Sequence, residues 1–308
     1  MMPGSLHAQL ITVVPCHNTL GENALWHAQD NKVYWIDIEQ AQLLSYCPTQ
    51  AVLQRYPLPE RIGSFAFLAP TPNCPYLIIA AFASGIALYH PETHAIKWLF
   101  KPSNMTGLRF NDGRADRQGR FWAGTMVEDS KQAHKAGELY QLNEQLQAIS
   151  RLQEITISNG LCWSPDGKIM YHADSAKHCI TQYAFDVVSG ALSQGQVFAV
   201  TPENAFPDGA IVDAQAYVWC AHWGAGEVVR YDVHGQAVFS LPLPVSQPSS
   251  VAIGGVENNL LFVTTSKVGL SAEQKQAEPE AGNLFIYQIQ NLQGLPEPLV
   301  TLPTTLFS

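Results

Sequence analysis

Four polar residues of this chain share one kind of local sequence. Each carries a side-chain oxygen, is followed within two positions by glycine or asparagine, and then by a short apolar run: "LGENALW", "FNDGRAD", "SNGLCWS" and "PDGAIVD". The four residues are Glu22, Asn111, Asn159 and Asp208. Two carboxylates and one amide oxygen, from Glu22, Asp208 and Asn159, suit a hard divalent cation such as Ca²⁺, Mg²⁺ or Mn²⁺. Three protein ligands would leave coordination positions for water and a substrate, as catalysis requires.

The same four residues keep a nearly constant distance from a following aromatic residue. The distances are 13, 11, 12 and 11 residues, ending at Trp35, Trp122, Tyr171 and Trp219 respectively. Any single Asn-Gly or Asp-Gly pair is explained better as a turn, since these residues tolerate left-handed backbone conformations. A shared phase instead indicates one structural position repeated along the chain, so we expect these side chains to cluster.

The aromatic residues belong to a longer repeat. Short apolar strand patterns recur at separations of 43, 44, 49, 48 and 43 residues, centred on Trp35, Ile78, Trp122, Tyr171, Trp219 and Phe262. Each is followed by a second strand pattern, and the 3.6-residue periodicity of helical repeats is absent. Six units of about 45 residues predict an all-β fold, a six-bladed β-propeller with four-stranded antiparallel blades around a central channel. We expect residues 1–308 to form one domain, with "QLITVVP" completing the blade built from residues near 282–300.

Composition excludes several classes of partner. Of 308 residues, 46% are hydrophobic and 14% charged, and the formal net charge of −9 disfavours nucleic acid or an anionic membrane surface. No secretory signal and no apolar run long enough to span a bilayer is apparent. Six cysteines without a CxxC pair are typical of reduced thiols. We expect a cytoplasmic protein, either a monomer or a weak homodimer.

The ordered motifs resemble those of the SMP-30/gluconolactonase/LRE family. The resemblance covers essentially the whole chain and rests on "LGENALW" (20–26), "RFNDGRADRQGRFWAGTM" (109–126), "ISNGLCWSPDGKIMYHADS" (157–175), "PDGAIVDAQAYVWCAHWGAGEVVRYD" (207–232), "PSSVAIGG" (248–255) and "AGNLFIY" (281–287). It implies a six-bladed propeller, in agreement with the repeat. The implied activity is hydrolysis of an aldonolactone, a cyclic sugar ester, to its open-chain acid.

The resemblance also assigns roles to residues. It implies that Glu22, Asn159 and Asp208 bind the metal, with Asn23 standing where Gly or Ser is common. The implied cofactor is one divalent cation, Ca²⁺ by preference, with Zn²⁺, Mg²⁺, Mn²⁺ or Fe²⁺ also compatible.

For the substrate, the resemblance implies that Arg109 and Asn111 bind the sugar. An acidic residue after "AGTM" is implied to contact it as well, and here that is Glu128 or Asp129. Spacing from Asn111 favours Asp129.

These residues predict a mechanism and leave alternatives. A divalent ion would polarise the lactone carbonyl, Asp208 would act as general base, and Arg109 with Asn111 would position the ring. A non-catalytic calcium-binding or regulatory propeller of the regucalcin type is the alternative. A protein-interaction propeller is a third hypothesis, although no apolar or strongly charged top-face loop supports it. No G-x-S-x-G elbow or zinc-type histidine spacing is present.

Four features carry two interpretations each. Ser249 is either a substrate contact or a turn residue, and His222 either lines the channel or is packed at a strand end. Arg109 by itself is also compatible with an ion pair between blades. The polar loop 128–138 is either a lid over the site or a solvated connection.

Overall fold

The six predicted units are six four-stranded antiparallel sheets. The structure, a computed structural model, describes residues 6–131 and 134–307. Within them, the innermost strand of each sheet contacts the innermost strands of both neighbouring sheets, so the sheets form a closed ring of blades. The prediction of a six-bladed β-propeller is confirmed.

The strands follow the chain blade by blade, from the channel outward. Strand β1 (Ala8–Val14) comes first and belongs to the sixth blade. The first three blades comprise β2 (Gly21–His27), β3 (Lys32–Asp37), β4 (Gln42–Cys47) and β5 (Val52–Pro57); β6 (Ile62–Phe67), β7 (Ile78–Phe82), β8 (Gly85–Tyr89) and β9 (Ile96–Phe100); and β10 (Leu108–Ala115), β11 (Phe121–Val127), β12 (Gly137–Leu142) and β13 (Ala148–Ile155).

The second half of the chain repeats this order. It comprises β14 (Ser158–Trp163), β15 (Ile169–Asp174), β16 (Cys179–Ala184) and β17 (Gln196–Val200); β18 (Phe206–Val212), β19 (Val218–Trp223), β20 (Glu227–Tyr231) and β21 (Ala237–Pro242); and β22 (Pro248–Gly254), β23 (Leu260–Thr265) and β24 (Leu284–Ile289). Helical structure in the described residues is confined to α1 (Ala272–Ala277) and two 3-10 turns, Ser175–Lys177 and Thr304–Phe307. None of these is long and apolar enough to span a bilayer.

The ring closes through the N-terminal strand, as predicted. Strand β1 pairs antiparallel with β24, from Ala8 opposite Ile289 to Val14 opposite Leu284, and becomes the outermost strand of the sixth blade. Because this pairing joins both ends of the chain in one sheet, separating the blades requires breaking it. We infer from this closure that the chain is one domain.

Burial explains the composition of the strands. Every residue of the inner strand β6 is buried, whereas the outer strand β5 is mostly exposed. Inner strands are covered on both faces by adjacent blades, so they consist largely of apolar and small residues. The marker residues at 35, 78, 122, 171, 219 and 262 all lie on second strands and are buried between blades.

Buried aspartates satisfy the indole N–H groups of two marker residues. Trp122 Nε1 donates to Asp116 Oδ2 and Trp219 Nε1 donates to Asp213 Oδ2, each at 2.9 Å. Each aspartate lies six residues before its tryptophan, in equivalent blades. A buried donor without a partner is costly, so these bonds allow large polar-edged rings to fill the core.

The far end of the channel is closed by an arginine and the C-terminal segment. Arg114, on the inner strand of the third blade, donates from Nη1 to the carbonyl of Ala210 on the inner strand of the fifth, at 2.6 Å. Its Nε lies 2.7 Å from Oε1 of Glu297. The accessible part of the channel therefore lies at the opposite end.

Candidate functional site

At the end of the channel away from Arg114, a cavity of about 320 Å³ opens to solvent. Its volume falls at the lower end of the range for small-molecule sites, about 300–1,000 Å³. Five of the residues singled out from the sequence line it: Glu22, Arg109, Asn111, Asn159 and Asp208. They come from the first, third, fourth and fifth blades. The structure therefore brings together residues that are up to 186 positions apart.

A distortion of the inner strands places these side chains in the channel. In all six blades the register between the first and second strand shifts near the start of the first strand, as at Glu22/Leu25, Asn159/Cys162 and Pro207/Ala210. An extra residue in one strand bends that strand and changes the direction of its side chains. The repeated shift explains why polar side chains of a buried strand face a cavity.

The residue that follows two of the three ligand candidates explains part of the shared sequence pattern. Asn23 follows Glu22 with φ of 48°, and Gly160 follows Asn159 with φ of 63°. Asparagine and glycine tolerate this left-handed conformation best. Asn23 also donates to the carbonyl of Gly113 and accepts from the N–H of Phe65, which ties three blades together. Asn23 at this position is therefore structural.

Three carboxyl groups interact at the cavity: Glu22 and Asp208 line it, and Asp112 lies beside them. Burial raises the pKa of Glu22 to about 8, with a further contribution from the charge of Asp112. Burial and the charge of Glu22 hold the pKa of Asp208 well above its usual range. The negative charges of Glu22 and Asp208 repel each other, so ionisation of Glu22 disfavours ionisation of Asp208. Without a cation, the site therefore disfavours the ionisation of all three carboxyl groups at once.

Asp112 is the member of this group that the phase of the sequence repeat does not predict. Its carboxylate accepts hydrogen bonds from the backbone N–H groups of Gly113 and Leu161, each at 2.9 Å. Burial raises its pKa to about 6, partly offset by these N–H groups and by Arg114. The signal was present, because Asp112 directly follows Asn111 in the "FNDG" motif.

The donors present suit a divalent cation. Asp208 Oδ1 is buried and has no hydrogen-bond partner, which is costly for a carboxylate oxygen unless a cation or a proton approaches it. The described part of the chain contains no group of three or more His, Cys, Asp and Glu side chains placed to bind a metal. The predicted set needs none, since it combines two carboxylates with the amide oxygen of Asn159.

A chain of hydrogen bonds connects the metal and substrate candidates. Arg109 Nη1 donates to Asn111 Oδ1 at 2.6 Å, and Asn111 Nδ2 donates to Asn159 Oδ1 at 2.9 Å. Asn159 Nδ2 in turn donates to Oγ of Ser175 at 2.8 Å, and Ser175 donates to the carbonyl of Pro207. Ser175 was not identified from the sequence. The amide oxygen of Asn159 is thus oriented from both sides.

Of the two acidic residues after "AGTM", Glu128 is linked to Arg109. Its Oε1 lies 3.6 Å from Arg109 Nε and 2.6 Å from Nη1 of Arg61. The Asp129 carboxylate accepts a hydrogen bond from the N–H of Lys131. Neither residue lines the cavity, so the choice of Asp129 or Glu128 as a substrate contact stays a prediction. The loop 128–138 includes residues 132 and 133, which lie outside the described residues, so a lid there stays a prediction.

Ser249 and His222 are both tied into the fold. Ser249 is buried and its hydroxyl donates to the carbonyl of Gly21, which joins the sixth blade to the first. His222 is buried, with Nε2 2.8 Å from the hydroxyl of Tyr231 and Nδ1 3.3 Å from Glu227. Neither lines the cavity. The structural interpretation of each is therefore favoured.

All six cysteines lie in the described ranges and are free thiols.

Comparison with known proteins agrees with this architecture. A relative from Azospirillum brasilense, an L-arabinolactonase, is 32% identical over 92% of this chain and 93% of its own length. A 6-deoxy-6-sulfogluconolactonase from Pseudomonas putida is 31% identical over 96% of this chain and 99% of its own. The crystal structure of a calcium-binding protein, regucalcin, from Agrobacterium tumefaciens matches with a TM-score of 0.87 and 26% identity, covering 95% of this chain and 98% of that one.

The family itself follows from a match to most of the chain. Residues 20–267 match the model of the SMP-30/gluconolactonase/LRE-like region, a span that includes every candidate site residue named above. On this match and these relatives, the chain belongs to the SMP-30/gluconolactonase/LRE-like family.

Proposed function

We propose that this protein hydrolyses a sugar lactone to the open-chain aldonic acid in the cavity at the open end of the channel. One observation carries the proposal: two carboxylates, two amide side chains and an arginine from four blades meet around a cavity that fits a small molecule. The names of its lactonase relatives support the reaction class. The substrate is therefore a cyclic ester rather than a polymer or a protein.

A divalent cation fits the donors described. Glu22, Asn159 and Asp208 would hold it, because their oxygens are the ligands that such cations prefer. When bound, the cation supplies Lewis acidity, which is worth several kcal/mol of barrier where charge develops on a carbonyl oxygen. Similarity to a calcium-binding protein supports Ca²⁺ as the first candidate.

Asp208 is the proposed general base. As water adds to the lactone carbonyl carbon, Asp208 takes a proton from it. The bond from that carbon to the ring oxygen then breaks, and Asp208 gives the proton to the ring oxygen, which becomes a hydroxyl. Proton transfer of this kind contributes about 10²–10⁴-fold to a rate. The unpartnered Oδ1 of Asp208 is free to accept that proton.

Arg109 and Asn111 position the substrate. Arg109 is buried, and its Nε has no hydrogen-bond partner of its own, with the Glu128 carboxylate 3.6 Å away. A ring hydroxyl or the ring oxygen could therefore accept from Nε without displacing an existing bond. Asn111 holds the Arg109 guanidinium by accepting from Nη1. Fixing the ester in one orientation lowers the entropic part of the barrier.

The direct test is a pH-drop assay on a panel of sugar lactones. The protein is stripped of metal, and Ca²⁺, Mg²⁺, Mn²⁺, Zn²⁺ and Fe²⁺ are added back singly. The proposal expects acceleration over spontaneous opening for at least one lactone, and only with added metal. If no pairing of lactone and metal accelerated the opening, the proposal would be refuted.

A non-catalytic calcium-binding role is the second candidate, favoured by the likeness to the regucalcin structure. It predicts Ca²⁺ binding without turnover in the same assay. The bonded pair of Arg109 and Asn111 favours the enzyme, because a site that only holds an ion needs no such pair in its cavity.

A further inference from the structure

The cavity has two chemically distinct parts. The polar side chains Asn111, Asn159 and Asp208 are 6–7% exposed and form its floor. Glu22, Arg109 and Ser175 also line the cavity. The other six lining side chains are apolar, and we call them the apolar rim: Leu20, Met126, Ile157, Phe206, Trp223 and Val268. All of these except Leu20 retain partial exposure, and Phe206 is 37% exposed. The apolar part therefore lies toward solvent, above the polar floor.

The rim is built from strand ends in several blades. Met126 pairs across the strands with Arg109 and forms a bridge with Ile157, on the side of the third and fourth blades. Phe206 and Trp223 are cross-strand partners in the fifth blade. These two pairs are rigid parts of sheets, so they form fixed apolar walls.

The remaining two rim residues, Leu20 and Val268, extend the wall of the fifth blade. Trp223 and Val268 pack against the apolar cluster that contains Leu20. Their backbone is also anchored, since Leu20 bridges to Ser266, two residues before Val268. The rim is therefore continuous from the fifth blade to the first.

Charge is absent from the rim. Among the described residues that line the cavity, Arg109 is the single basic one, and it lies with Asn111 on the polar floor. Arg61, beside the site, is engaged by both carboxylate oxygens of Glu128, at 2.6 and 2.9 Å. A sulfonate or phosphate at the outer end of a bound substrate would lose water without gaining a cation, which is costly.

The geometry points to a substrate that is polar at the ester end and apolar at the other. This inference rests on the proposed function and narrows it: the lactone carries an uncharged, alkyl-terminated substituent, as in a 6-deoxy sugar lactone, which contacts Phe206 and Trp223. The rim residues thus determine specificity, while the floor carries the reaction. A hydroxyl or an anion in place of the terminal hydrogen weakens binding.

A matched set of three substrates tests this inference. They are L-galactono-1,4-lactone, its 6-deoxy counterpart and its 6-deoxy-6-sulfo counterpart, which differ only at C6. The 6-deoxy lactone is expected to have a kcat/KM about tenfold above that of the hydroxylated one, since small groups in apolar pockets discriminate by roughly 10–200-fold. The sulfonated lactone is expected to fall about 100-fold below the 6-deoxy lactone, because its charge is buried without a partner.

Variants separate a specificity role from a structural one. Phe206→Ser and Trp223→Ser are expected to bring the ratio of 6-deoxy to hydroxylated kcat/KM to within about twofold of one. Loss of the fold would lower kcat/KM for both lactones together and leave their ratio unchanged. Trp98→Ser is the matched control, because Trp98 is also 37% exposed but lies outside the cavity, and it should keep the wild-type ratio.

The outcomes distinguish this inference from the proposed function. If the protein hydrolysed none of the three lactones and no other lactone in the metal panel, both the apolar substrate and the proposed lactonase function would be refuted. Hydrolysis with equal or better rates for the hydroxylated or sulfonated lactone would refute the apolar substrate and leave the lactonase in place. An unchanged ratio in both rim variants would also overturn the role given to Phe206 and Trp223.

Discussion

Asn111 Nδ2 donates a hydrogen bond of 2.9 Å to Asn159 Oδ1, across the boundary between the third and fourth blades. The same nitrogen also donates to the carbonyl of Ser158, at 2.9 Å. One side chain thus fixes the orientation of a candidate metal ligand that lies 48 positions later in the chain. This link joins the residues proposed to bind the substrate to those proposed to bind the cation.

Replacing Asn111 by alanine is expected to weaken both parts. Asn159 would lose a donor that orients its oxygen, and Arg109 would lose its acceptor. Removing a group that orients a metal ligand typically costs 10–100-fold in metal affinity. We expect the Kd for Ca²⁺, measured by titration calorimetry, to rise by about that factor, together with KM. Asn104→Ala, at an exposed turn, is the control, and equal Kd values for the two variants would contradict the link.

Asp208→Asn is expected to lower kcat by at least about 10²-fold at saturating metal, because an amide cannot accept the proton that a general base removes. Initial rates with increasing Ca²⁺ separate this loss from weaker metal binding. Asp232→Asn, in an exposed hairpin, should retain wild-type kcat. If the Asp208 variant regained wild-type kcat at high metal, Asp208 would be a ligand only.

Arg109→Ala is expected to raise KM by about tenfold or more with a smaller effect on kcat, since its proposed role is to position the substrate rather than to transfer protons. A charge-assisted hydrogen bond is worth about 1.5–3 kcal/mol, which corresponds to that range. The measurement is a full Michaelis–Menten curve for the best lactone. A decrease in kcat with an unchanged KM would instead indicate that Arg109 takes part in the chemical step.

Acid sensitivity is expected from His172. This buried side chain lies 2.9 Å from Ser158 Oγ, and burial lowers its pKa from 6.5 to about 4. The unfolded chain therefore takes up the proton first as the pH falls. The contribution of neutral His172 is complete above pH 6.5 and is lost between pH 6.5 and about 4, amounting to about 3 kcal/mol.

Urea unfolding of the wild type and His172→Gln between pH 8 and pH 4 measures this contribution. The difference between their free energies of unfolding should be constant above pH 7 and should shift by about 2–3 kcal/mol in favour of the variant toward pH 4. A difference that stays constant over the whole range would show that His172 does not titrate as described.

The fold could be predicted because residues of the same type recur at equivalent positions of the repeat. Each blade places a large apolar residue on its second strand, and these are buried between blades, as Trp35 and Trp219 show. The closing pair of β1 and β24 was expected from the ring geometry. The register shifts of the inner strands were not, because a bulge depends on how two strands pair rather than on either sequence alone.

The site could be predicted only in part. The phase of the repeat identified Glu22, Asn159 and Asp208, whereas Asp112 and Ser175 were missed because each lies one or more positions out of that phase. The rim residues Phe206 and Trp223 look like core residues in the sequence, and their exposure follows from lying at strand ends around an open channel. The preference for Asp129 over Glu128 relied on spacing from Asn111 and stays a prediction.

The most direct test of the account is a crystal structure grown with Mn²⁺ and measured at the manganese absorption edge. The account predicts one anomalous peak in the cavity, about 2.0–2.6 Å from an oxygen of each of Glu22, Asn159 and Asp208. A cavity without a peak, or a peak bound by other residues, would contradict it.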